Sequence, residues 1–291
     1  MRNIYTCLCV LVVVFALASC QKEIHFEGTE DPEAGDTLLR KIVLVDSVTP
    51  MKDIYNVDFV YDSQNRVTKI RRYYVDSANG AATVTNSDST IFYYNGNEKL
   101  PVKSKGYSSL VFSYETETFH RFLPDGRLAA DSVPAGDGIS YAVMLFTYGS
   151  TKVMAKSDYW VLGSSIGEAD DSFVVASNNL TQAFFAYTPS YGPTYFADTY
   201  DNRINPLSKL NIASTLVVEG ELAYNQLIFL APGYCANNII NRKSSLSYPP
   251  TSSENQSYTY VYNTKGLPVS CKFASNYSTT ANLHYTFYYK L

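Results

Sequence analysis

The chain has 291 residues, 46% of them hydrophobic and 17% charged, with a net charge of −4. That balance excludes a disordered chain. Acids outnumber bases, which excludes a basic nucleic-acid binder, and five cysteines in this length exclude a disulfide-dense scaffold. Aromatic residues are plentiful, with 26 Tyr, 15 Phe and one Trp, while there are three His.

Arg2 precedes an apolar run from Leu8 to Leu17, too short for the roughly 20 residues a membrane-spanning helix needs. It has the length of a secretory signal core. Leu17-Ala18-Ser19-Cys20 follows and resembles the lipobox of bacterial lipoproteins. The resemblance implies a signal peptide over residues 1–19 and lipidation of Cys20, with the membrane as partner through that lipid. One acyl chain holds a protein only marginally; two or three hold it durably, at about 0.8 kcal/mol per buried methylene. Residues 20–36 are acidic, with Gly28, Pro32 and Gly35 but no periodicity, and are expected to form a tether. The expected location is the outer membrane, facing either the periplasm or the cell surface. Cys235 and Cys271 remain after processing. That compartment permits a disulfide between them, worth about 3–4 kcal/mol in the chain-entropy model; two buried free thiols are the alternative.

From residue 37 onward short aromatic and β-branched runs alternate with turn residues. Such runs occur at Tyr55–Tyr61, Thr90–Tyr94, Leu110–Tyr114, Tyr141–Tyr148, Gln182–Tyr187, Tyr258–Tyr262 and His284–Tyr289. The helix candidates are two short segments, Asn205–Ile212 and Glu221–Phe229. An aromatic strand, a polar turn and an aliphatic strand start recur at Tyr61–Val67, Phe92–Leu100, Phe119–Leu128, Phe146–Val153, Tyr200–Ile204 and Tyr260–Leu267. Asp or Asn opens each turn and Gly or Asn takes the left-handed position, which is hairpin chemistry.

Tyr61-Asp62-Ser63-Gln64-Asn65-Arg66-Val67 resembles the YD repeat of Rhs-type shell proteins, with Asn65 where that consensus has Gly. Most of the mature chain resembles a family of Bacteroidota lipoproteins of unknown function. The residues that carry the likeness are the lipobox, the degenerate YD hairpins, Tyr200-Asp201-Asn202-Arg203-Ile204-Asn205-Pro206, and Asn237-Asn238. The resemblance implies a porin-like antiparallel β fold. Residues 37–291 are accordingly expected to form one all-β domain. The expected architecture is a large curved antiparallel sheet or partly open barrel built from successive hairpins. Short strands, polar residues on both faces and the ending Phe287-Tyr288-Tyr289-Lys290-Leu291 argue against an integral membrane barrel.

No Gly-x-Ser-x-Gly, His-x-x-x-His or Cys-x-x-Cys motif points to a nucleophile or metal. Glu168, Asp170 and Asp171 read as a solvated acidic loop rather than a calcium site. No catalytic residue, metal or cofactor is assigned. The aromatic surplus is the positive signal for binding. Tyr159, Trp160, Tyr187, Tyr191 and Tyr195 are candidates for a platform that stacks sugar rings, set against simple cross-strand ladders. The expected function is a non-enzymatic envelope module that binds a glycan or an envelope protein and no nucleic acid. The alternative is a glycan hydrolase that uses a carboxylate pair.

Overall fold

The computed structural model describes residues 37–46, 54–76, 83–108, 114–134, 139–185, 194–213, 235–246, 252–276 and 282–290. Cys20, the signal peptide, the tether, Tyr187, Tyr191 and the helix candidate Glu221–Phe229 lie outside them.

Sixteen strands follow in chain order: Leu39–Asp46 (β1), Ile54–Tyr61 (β2), Val67–Asp76 (β3), Thr83–Tyr93 (β4), Lys103–Ser108 (β5), Tyr114–Phe122 (β6), Leu128–Pro134 (β7), Tyr141–Tyr148 (β8), Lys152–Val161 (β9), Ser164–Ala176 (β10), Asn179–Phe185 (β11), Thr194–Ile204 (β12), Asn237–Leu246 (β13), Ser252–Tyr262 (β14), Pro268–Ser275 (β15) and Asn282–Tyr289 (β16). Each pairs antiparallel with its neighbours in sequence, and β16 pairs with β1, so the barrel is closed. Ile42 lies opposite Phe287 on one side and Val57 on the other. Closure leaves no strand edge unpaired at the seam, which settles the choice between curved sheet and barrel.

Side chains alternate between the two faces of the wall. On β14, Gln256 and Tyr258 are buried while Ser257 and Thr259 are exposed. The large apolar side chains are buried on the inner face. Tyr285, Phe273, Phe287, Ile42 and Ile70 are almost wholly covered there. The outer face bears Asp58, Arg71, Lys105, Glu117, Lys156 and Lys272 between the strand ends, with Glu117 paired to Lys103 at 2.7 Å and Lys105 at 3.7 Å. One Lys or Arg at the midplane of a lipid-facing wall costs about 2–4 kcal/mol. These charges lie among exposed apolar side chains such as Tyr93, Phe119, Tyr141 and Leu145, so the outer face is mixed.

The turns after the even-numbered strands all fall at one end of the barrel, and they are the repeats visible in the sequence. Asn65, Gly126 and Gly266 occupy the same left-handed position, with φ of 59°, 85° and 76°. Asp62 Oδ1 accepts from the backbone N–H groups of Gln64 and Arg66, and Asn263 Oδ1 from those of Lys265 and Leu267. These bonds close the turns. A tyrosine ends the strand before the turn and donates its hydroxyl to a carbonyl at the start of the preceding strand. Tyr61 bonds Leu39 at 2.5 Å, Tyr94 bonds Val67 at 2.5 Å, Tyr148 bonds Leu128 at 2.7 Å and Tyr289 bonds Pro268 at 2.7 Å. Tyr200 bonds Leu180 in the same way. The tyrosines form a belt around this end.

A strap crosses the same end. Asn205 caps a 3₁₀ turn at Pro206–Lys209, within the segment expected to be helical. Leu207, Leu210 and Ile212 are buried. Asn211 then reaches the opposite wall: its Oδ1 accepts from Val67 N–H at 2.8 Å, and its Nδ2 donates to Tyr94 and to the Lys99 carbonyl, each at 2.8 Å. Asp201, Asn205, Asn237 and Asn238, from the two motifs singled out in the sequence, sit at the strap's base. Asn205 Nδ2 donates to the Cys235 carbonyl at 2.9 Å. Asp201 Oδ1 accepts from Asn238 N–H at 3.1 Å, and Asn238 Nδ2 donates to the Ile204 carbonyl at 3.1 Å. These residues are architectural.

Candidate functional site

Residues of β10–β14 line a recess of about 830 Å³. Phe184 on β11 and Tyr195 on β12 lie opposite each other in register and on the same face. Their ring centroids are 4.8 Å apart with planes tilted by 42°. Tyr195 is 46% exposed, so one ring face is open to a ligand. Gln182, Lys243, Ser245, Asn255 and the carboxylate of Glu254 are among the polar residues of the lining. An open aromatic face beside amide, hydroxyl and ammonium groups suits a ligand with one apolar face and many hydroxyls.

The structure divides the sequence-predicted platform. Tyr195 lies in this recess. Tyr159 and Trp160 are consecutive on β9 and therefore point to opposite faces, so they cannot share a platform. Trp160 instead stacks on Tyr141 of β8, with centroids 5.8 Å apart and planes 7° from parallel. That pair is a cross-strand ladder contact. Phe184 and Lys243 were not candidates from sequence, because only the pairing register of β11, β12 and β13 brings them beside Tyr195.

Several buried polar groups lie inside the barrel. Arg242 forms a two-pronged ion pair with Asp198, both bonds 2.8 Å long, and both residues are buried. Burial opposes the Arg242 charge, but the carboxylate outweighs it and raises the pKa. Arg72 pairs with Asp88 and donates to Thr90 at 2.9 Å. Ser104, His120 and Asp131 form a chain: His120 Nδ1 is 2.7 Å from the Asp131 carboxylate and Nε2 is 3.0 Å from Ser104 Oγ. Ser104 is 2% exposed and lines neither recess. Among these contacts Asp198 and Asp88 face arginines and Glu254 faces Ser275, so none of the three acids is set against a second one.

Cys235 and Cys271 are separate, buried thiols and not a disulfide. Each has its own surroundings. Cys235 Sγ accepts from Leu180 N–H at 3.4 Å, while Cys271 lies between Tyr260 and Tyr285 in register. Burial pushes Cys235 up to about 11 and Cys271 up to about 12. Among the described residues no group of three or more His, Cys, Asp or Glu side chains is placed to hold a metal ion. Asp170 and Asp171 are neighbours on β10 and point to opposite faces.

Sixteen antiparallel strands in a closed meander define the class, an all-β porin-like barrel. No family model matches the chain, and no curated protein matches it. Among solved structures it is similar to a porin-like protein from Bacteroides uniformis, with a TM-score of 0.53 and 13% identity over 86% of this chain and 95% of that one. It is equally similar to a porin-like protein from Bacteroides vulgatus, with a TM-score of 0.53 and 13% identity over 88% of this chain and 99% of that one. At that identity the likeness establishes the fold.

Proposed function

We propose that this protein is a lipid-anchored envelope barrel that binds a carbohydrate in the recess around Tyr195. The observation that carries the reading is the open Tyr195 ring beside Phe184, with Lys243, Gln182 and Asn255 around it. The lipobox at Leu17–Cys20 supports anchoring, and the charges on the outer face support a barrel held at the membrane rather than within it. The porin-like neighbours fit an envelope location.

The test is a polysaccharide panel titrated against the chain from Gln21 onward. The expected result is saturable binding to at least one glycan, weakened about tenfold or more by Tyr195→Ala and unchanged by Trp160→Ala. Absence of binding across the panel would overturn the carbohydrate reading. Cys20→Ala should release the full-length protein from the membrane fraction; retention there would overturn the anchor.

One observation favours a second reading. Ser104, His120 and Asp131 are bonded in the order hydroxyl, imidazole, carboxylate, which is the arrangement that activates a serine nucleophile. This is an esterase-like constellation, distinct from a carboxylate-pair glycosidase. A fluorophosphonate should add its mass to Ser104 of the folded chain if that serine works, and no labelling would remove this serine-hydrolase reading.

A further inference from the structure

The belt identifies a second site. Register places an aromatic residue of six even strands opposite an aliphatic or proline residue near the start of the next strand: Tyr61 opposite Val67, Phe122 opposite Leu128, Tyr148 opposite Val153, Tyr200 opposite Ile239, Tyr262 opposite Pro268 and Tyr289 opposite Leu39; Tyr94 stands just past the end of β4. On β10 the same register position, opposite Leu180, is Val175. Every other even strand brings an aromatic ring to this end, and β10 brings an isopropyl group.

A recess of about 430 Å³ opens where that ring is missing. Its walls are the apolar side chains of Leu128, Phe146, Val153, Phe173 and Val175, with the ring of Tyr148 beside them. Leu128, Phe146 and Phe173 are otherwise buried, so the depth of the recess is apolar. Among the described residues, none of the strap at 205–213 lines it. The rim is cationic. Arg127 is already held by Asp125 at 2.6 Å and by the Tyr148 ring, with its guanidinium carbon 4.3 Å from the centroid. Lys152 is exposed and has no ion pair among the described residues. An apolar depth offers nothing to a sugar hydroxyl, and burying an unbonded hydroxyl is costly. Methylenes fit there, and an anionic end group fits the lysine at the lip.

We propose that this recess binds the alkyl chain of a linear fatty carboxylate, with the carboxylate held at the rim by Lys152. The site shares no lining residue with the recess around Tyr195, so either proposal can fail alone.

The test is calorimetric titration of the chain from Gln21 onward, which holds the whole closed barrel. The probes are octanoate, decanoate and dodecanoate below their micelle concentrations. Affinity is expected to rise roughly fourfold per added methylene until the recess is full. Val175→Tyr restores the belt ring and should weaken dodecanoate about tenfold or more. Val175→Phe fills the same space without a hydroxyl and should act alike if Val175→Tyr does not fold, with circular dichroism as the check on folding. Lys152→Glu should weaken dodecanoate about tenfold and leave dodecanol unaffected. Three outcomes would each overturn the proposal: no saturable binding of dodecanoate, undiminished binding by a folded ring-restoring variant, or binding of dodecanol as tight as that of dodecanoate.

Discussion

The Arg66 guanidinium lies 4.4 Å from the ring centroid of Tyr94, one repeat further round the barrel. The same step recurs from Arg127 to Tyr148 at 4.3 Å and from Arg203 to Tyr262 at 5.8 Å. Lys290 over Tyr61, at 5.9 Å, carries it across the seam where the barrel closes. The Asp of the repeat aims the arginine: Asp62 Oδ2 accepts from Arg66 Nε at 2.7 Å. At these four steps one hairpin's cation covers the next hairpin's tyrosine, which ties together hairpins that alone are marginally stable.

Arg66→Ala removes that contact and two charge-assisted bonds, to the carbonyls of Gly96 and Glu98, each 2.8 Å long. The expected loss is about 2 kcal/mol, a fall of roughly 4–8 °C in Tm. Arg66→Lys should recover only part of it: Nη1 donates to both carbonyls while Nε holds Asp62, and a single ammonium has neither that second donor nor a planar face for the Tyr94 ring. Thermal unfolding of the three proteins decides this, and an unchanged Tm for Arg66→Ala would show the contact to be incidental.

Hairpins, turn residues and the aromatic-strand repeat were legible because they are local. Asn65 announces its left-handed position, and Asp62 its turn. Closure was not legible, since it depends on Ile42 meeting Phe287 from the other end of the chain. Two copies of the repeat escaped notice for different reasons: Val175 lacks the ring, and Tyr289 has no turn after it. Tyr159 and Trp160 illustrate a signal that was present and misread, because strict alternation already separates neighbours on a strand. Phe184 and Lys243 had no local signature at all. The cysteine pairing could not be read from spacing, which carries no information on whether two Cα atoms come within bridging range.

The buried pair of Asp198 and Arg242 should be intolerant of single changes. Asp198→Asn leaves a guanidinium inside the barrel without its counter-charge, at an expected cost of about 3–5 kcal/mol. Replacing both residues with apolar ones of similar size should recover much of that loss. Denaturant unfolding of the single and double variants measures the difference, and a single variant within 1 kcal/mol of the parent, the scale of an ordinary surface change, would contradict the pair's role.

Alkali should unfold the barrel over a defined range. Burial pushes Tyr73, Tyr94 and Tyr148 up to about 12. An unfolded phenol ionises near 10. Between those values the unfolded chain releases protons that the folded chain retains, so stability falls as pH rises; below 10 these groups have no effect. Phenolate absorbance and loss of β-sheet circular dichroism are expected in one shared transition above pH 10. Phenolate appearing for these tyrosines with the sheet signal intact would contradict it.

The thiols provide a chemical check on the two separate cysteine sites. Thiolate is the reactive form, and burial keeps both Cys235 and Cys271 protonated near pH 8. Maleimide should add slowly to the native chain from Gln21 onward and twice to the same chain in denaturant, without any reductant. Mass spectrometry reads both states. Failure to add in denaturant until a reductant is supplied would mean that the pair is bonded.

Tyr55 has a buried hydroxyl with no hydrogen-bond partner among the described residues. Its ring packs on Tyr74 with centroids 4.9 Å apart, so the ring belongs to the interior and only the oxygen is misplaced there. An unbonded buried hydroxyl costs about 1–3 kcal/mol. Tyr55→Phe keeps the ring and removes that cost, and the expected gain of about 1 kcal/mol raises Tm by roughly 2–4 °C. The same change at Tyr148 deletes the bond to the Leu128 carbonyl and should lower Tm by a similar amount. Opposite signs for one chemical change at two buried tyrosines would separate satisfied from unsatisfied hydroxyls, and a fall in Tm at Tyr55 would mean that its oxygen has a bonding partner in solution.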